Sequence, residues 1–111
     1  MPANPRYDGS DSGPIDLTTA RKWVQNFRNQ APATEVRSHY FGRDIIDRIL
    51  GQKGCTGIRI FYARNEQGQK ELIIAGTDDT GSLMLPDPDG KGNSLADDSW
   101  PCPPICPPDE L

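Results

Sequence analysis

Hydrophobic positions first acquire a period at "IDLTTARKWVQNFRNQAP", where Leu17, Ala20, Val24, Phe27 and Ala31 recur at spacings of three and four with Trp23 beside them. That spacing lines one face of a helix. Asp16 or Thr18 supplies a cap at its start, and Pro32 ends it. A second stripe, Ile45, Ile46, Ile49 and Leu50, runs through "TEVRSHYFGRDIIDRILGQKG". Thr34 is a candidate N-cap, Gly42 breaks the segment, and Gly51 or Gly54 suits the C-terminal end, so the firmer helix is expected over 42–51.

The period then shortens. "GIRIFYAR" (57–64) and "KELIIAGT" (70–77) are rich in β-branched and aromatic residues, and "NEQGQ" between them carries the glycine of a short hairpin loop. An isolated hairpin is only marginally stable, which makes "SLMLP" (82–86) the natural third strand of a meander. The expected architecture is therefore α+β, with two helices packed on a β-hairpin or three-stranded antiparallel meander over 15–86. A flexible segment (1–14) precedes it, and an irregular Gly/Asp/Pro-rich tail (87–111) follows.

Composition narrows the function classes. Glycine and proline number 11 each in 111 residues, and apolar residues reach only 34%, so the core is small and a large catalytic cleft is not expected. The net charge is −4 and the twelve lysines and arginines are scattered, which argues against a nucleic-acid partner held through its backbone. No run approaches the roughly 20 apolar residues of a membrane span, and "MPANPRYDGSDSGP" has no apolar signal region. These features predict a cytoplasmic protein without a membrane partner, in which a disulfide framework is not expected.

The candidate chemistry gathers in the tail, "WPCPPICPPDEL" (100–111). Cys102 and Cys106, taken with Cys55 and the single histidine, His39, form a Cys3His set of the kind that binds structural zinc. Against this, Pro103 and Pro104 favour an extended polyproline helix that would hold the two cysteine Cα atoms roughly 12 Å apart. A redox pair also needs a helix N-terminus to lower one thiol pKa, and a proline-rich tail predicts none. The favoured reading makes the cysteines small hydrophobes and the tail a pre-ordered docking strip of Trp100, Pro101, Pro103, Pro104 and Ile105.

Other groupings carry weaker signals. "DPDGKGNSLADD" places Asp87, Asp89, Gly92 and Asp98 in the register of a calcium loop, but Lys91 occupies a ligand position. Asp44 and Asp47 alternate with Arg43 and Arg48 at helical spacing, the pattern of a solvated charged face. His39 is a candidate general base, with Ser38 or Cys55 as nucleophile.

The stretch "YFGRDIIDRILGQKGCTGIRIFYARNEQGQKELIIAGTDDTG", followed by "PCPPIC", resembles a set of short bacterial proteins. Those proteins share a helix ending in a hydrophobic stripe, a "GCTGIRIFYA"-like strand and a terminal Cys-Pro-Pro-x-Cys. The resemblance covers residues 40–81 and 101–106 and implies a bacterial cytosolic protein with a small α+β fold. It carries no activity and no functional residue.

The expected function is a small non-enzymatic binding or assembly module, docking on a protein partner or a second copy through its tail or a sheet edge. Two alternatives stand beside it. One is a zinc-stabilised or thiol-dependent protein using Cys55, Cys102, Cys106 and His39, and the other is a small hydrolase using His39. No cofactor beyond zinc is expected, and no catalytic residue is assigned.

Overall fold

The computed structural model describes residues 4–86, 95–97, 99–109 and 111. It divides into two compact units, Met1–Asp11 with Phe41–Ser99, and Ser12–Tyr40 with Trp100–Leu111. The fold is α+β, and the described residues form two helices, a three-stranded antiparallel sheet and a two-stranded ribbon.

In the second unit, helix α1 spans Leu17–Asn29 and starts as its sequence dictates, with the Asp16 carboxylate accepting the Thr19 backbone N–H at 3.0 Å. Its apolar face is only half covered, and no residue of α1 is buried. Strand β1 covers Ser38–Tyr40, within the stretch where Thr34 was expected to cap a helix.

In the first unit, α2 spans Arg43–Leu50, within the expected 42–51. Strands β2 (Gly57–Arg64) and β3 (Lys70–Thr77) pair in full register from Gly57 opposite Thr77 to Arg64 opposite Lys70, with the bounds their periodicity predicts. Asn65 organises the hairpin loop, its side-chain oxygen accepting the backbone N–H groups of Gln67 and Gln69, while Gly68 takes the positive φ of 78°. The third strand is β4, Leu95–Ala96, against Ile74 and Ala75. "SLMLP" contributes only an isolated bridge, Leu83 to Thr77, because its chain leaves the sheet after one pairing. The last strand, β5, is Trp100–Cys102 and returns to β1 in the second unit.

The core of the first unit lies where α2 crosses the C-terminal half of β3. Ile49, Ile74 and Ala75 are buried, and Gly76 is buried with them. Glycine weakens a strand interior unless something must come close. Here a Cβ on Gly76 would stand 3.2 Å from each of Ile49 Cγ2, Gln52 Nε2 and Cys55 Sγ, so the missing side chain is what lets the helix and the turn after it settle on the sheet.

The lead-in carries hydrogen bonds of its own. The Asp11 carboxylate accepts the backbone N–H groups of Arg6 and Tyr7, and Tyr7, at φ 57°, lays its ring over Gly81. A Cβ on Gly81 would lie 2.5 Å from the ring, and Gly81 itself has φ 82°. Gly81→Ala is therefore expected to cost more than the roughly 1–2 kcal/mol of a left-handed alanine alone. In a Tyr7→Ala background the cost should fall to that figure, read from urea unfolding of both pairs.

Asp78 closes the loop after β3. Its side chain accepts the hydroxyl of Thr80 and the backbone N–H groups of Thr80 and Ser82, and these bonds hold its pKa below the ordinary carboxylate value. A carboxylate better stabilised folded than unfolded adds stability above its unfolded pKa and loses it as pH falls through the lower folded value. The stabilities of the parent protein and Asp78→Asn should therefore converge as pH is lowered from 6 towards 2. A difference that stays constant with pH would remove the carboxylate from this account.

Candidate functional site

The tail of the second unit is folded back and bridged. β1 and β5 pair antiparallel with Ser38 opposite Cys102, His39 opposite Pro101 and Tyr40 opposite Trp100, and the Arg37 backbone N–H donates to the Cys102 carbonyl at 2.7 Å. Cys102 and Cys106 form a disulfide with their Cα atoms 4.6 Å apart. The extended separation expected from the prolines does not occur: the chain turns back on itself, with the Ile105 N–H donating to the Pro101 carbonyl, and the Cys102–Pro103 and Pro103–Pro104 bonds are cis. Prolines fix φ, but the peptide bond before each of them has two available forms.

This geometry corrects the cysteine expectations. The pair is bridged, whereas a disulfide framework was not expected. A zinc ligand must be a thiolate, so in this form Cys102 and Cys106 drop out of the Cys3His set. Cys55 lies in the other unit, half-buried, with its thiol donating to the Gly57 carbonyl at 3.4 Å. Among the described residues no group of three or more His, Cys, Asp or Glu side chains is placed to hold a metal ion. The calcium-like stretch 87–98 falls mostly outside the described residues. Nor does β1 bring Ser38 to His39, since neighbours in a strand point to opposite faces.

The residues expected to form a docking strip differ in exposure. Trp100, at 59% exposure, pairs across the ribbon with Tyr40 at 64%, and Pro104 and Ile105 also face outward. Pro101 and Pro103 are half-buried. The bridge itself is asymmetric. Cys102 is 1% exposed and Cys106 lies at the surface, where the Arg37 guanidinium donates to its Sγ at 3.7 Å. Arg37 also lines a pocket of about 290 Å³ with Phe27, Arg28, Ala31, Pro32 and Glu35. Nothing in the sequence linked Arg37 to Cys106, because only the β1–β5 pairing brings them together.

The first unit offers a second surface. β2 is an edge strand of the three-stranded sheet, and Arg59, Ile60, Phe61 and Tyr62 are exposed in succession, Tyr62 to 94%. Both faces of the strand are therefore open along its middle. Among the described residues no helix is long and apolar enough to cross a membrane. Compared with protein-family models, with curated proteins and with solved structures, the chain matches none.

Proposed function

We propose that the chain is a non-enzymatic binding and assembly module that joins a second copy of itself edge to edge through β2. The observation that carries this reading is the run of four exposed residues on an eight-residue edge strand, three of them large and apolar. Such an edge presents backbone donors and acceptors ready for another strand, and soluble proteins ordinarily blunt it with charge, proline or a bulge. Here the two arginines flank the apolar run without interrupting it.

Self-pairing also satisfies the side chains. An antiparallel pair about a two-fold axis at Phe61 sets Ile60 opposite the second copy's Tyr62, Arg59 opposite its Ala63, and Arg64 opposite its Ile58. No arginine then faces an arginine, and the apolar residues meet at the centre. Cytoplasmic residence, expected from the sequence, fits this reading if the bridge persists there or is exchanged.

Sedimentation equilibrium tests the proposal. The parent chain should form a dimer, and Tyr62→Lys, which changes a side chain with little burial to lose, should weaken it by about tenfold or more, roughly 1.4 kcal/mol. A dimer that survives Tyr62→Lys and is lost with Trp100→Ala would move the interface to the aromatic ribbon. A chain monomeric at every concentration would remove self-assembly altogether.

A further inference from the structure

We propose that the Cys102–Cys106 bridge is a thiol–disulfide exchange site, in which Cys106 carries the mixed disulfide with a small carboxylate-bearing thiol and Cys102 is the resolving sulfur. The inference rests on the second unit alone and does not depend on pairing through β2.

Three observations converge on it. Only one of the two cysteines is exposed: Cys102 is 1% exposed in β5, while Cys106 is at the surface. Exchange requires a thiolate to reach one sulfur in line with the bond being broken, so attack falls on Cys106 and Cys102 is expelled. The sulfur of the exposed cysteine also has a cation beside it, the Arg37 guanidinium 3.7 Å away. A neighbouring arginine favours thiolate over thiol, which draws the attacking anion in and stabilises Cys106 after reduction. This charge takes the part that a helix N-terminus plays in Cys-x-x-Cys proteins. Finally, Arg37 is also a lining residue of the pocket of about 290 Å³. Its lining joins apolar Phe27, Ala31 and Pro32 to the cations Arg28 and Arg37 and the carboxylate Glu35, a mixed-charge wall that suits the body of a small thiol peptide carrying both an ammonium group and carboxylates.

The electron count closes with two thiols as reductant. A first thiolate bonds to Cys106 Sγ as the Cys102–Cys106 bond breaks. Cys102 leaves with the electron pair and takes up a proton, as its burial demands. A second thiolate bonds to the sulfur of the first, releasing Cys106 as a thiolate beside Arg37. Two electrons pass from the two thiols to the bridge, and the external product is their disulfide. Oxidation runs the same steps in reverse, with Cys102 resolving the mixed disulfide on Cys106.

Glutathione is the probe. Reduced Cys102→Ser, treated with oxidised glutathione and mapped by peptide mass, should gain one glutathione on Cys106. Reduced Cys106→Ser should react at Cys102 about tenfold more slowly or less. In the reduced parent protein the pH midpoint for alkylation of Cys106 should rise in Arg37→Gln and return towards the parent value in Arg37→Lys. The intact protein provides a check independent of variant folding, since reduced glutathione should open the bridge without denaturant, as trapped by alkylation. Equal adducts on both cysteines, a midpoint unmoved by Arg37→Gln, or a bridge that opens only in denaturant would each overturn the proposal.

Discussion

Ile49→Ala is expected to cost about 2–5 kcal/mol of folding stability, the range for removing a buried isoleucine to the β-carbon. Ile49 is 0% exposed and is the only fully buried residue of α2, seated on β3 beside Gly76. A chain of 111 residues rarely has more than about 5–15 kcal/mol in total, so the variant should unfold at much lower urea. Ile49→Val should cost only about 0.5–1.5 kcal/mol, because a single methyl group is lost. Urea titration followed by circular dichroism measures both. An alanine variant within 1 kcal/mol of the parent would mean that the helix is not the lid of this core.

The second large effect is expected at Gly76, and its sign is informative. Replacing a strand glycine by alanine, where the backbone permits it, usually stabilises by about 0.4–1 kcal/mol through the unfolded state. At Gly76 the new methyl group would meet three atoms at 3.2 Å, so Gly76→Ala should destabilise, by about 1–3 kcal/mol. One of those atoms is Cys55 Sγ. Cys55→Ala removes it, and the double variant should be more stable than the sum of the two single changes predicts. Strict additivity in unfolding experiments would show that the sulfur does not press on this site.

The elements that could be read from the sequence are those whose signal is local. The hairpin follows from β-branched residues on either side of "NEQGQ", and α1 from Asp16, a stripe of spacing three and four, and Pro32. What escaped reading depends on distant partners. β1, β4 and β5 have three, two and three residues, too few to show a period, and β5 carries Pro101 in its centre. Proline reads as a strand breaker and is tolerated here on a two-stranded ribbon. The bridge was hidden for a related reason: "CPPIC" specifies φ at its prolines but leaves their peptide bonds open, and the compact form brings the sulfurs together. Of the five tail residues that the sequence singled out, Trp100, Pro104 and Ile105 are exposed while Pro101 and Pro103 are half-buried. The β2 edge was legible as a strand, but its openness on both faces depends on what fails to cover it.

The ribbon also bears on the order in which the chain is expected to fold. Tyr40 and Trp100 become neighbours only after the whole intervening chain, which contains α2 and the three-stranded sheet, has been closed into a loop. The β2–β3 hairpin needs only its short connection and forms on a scale of about 1–10 μs. The edge strand is therefore expected to form before the tail closes on β1, which gives other chains an interval in which to pair with it. Refolding yield should fall as protein concentration rises, because intermolecular pairing then competes with ribbon closure.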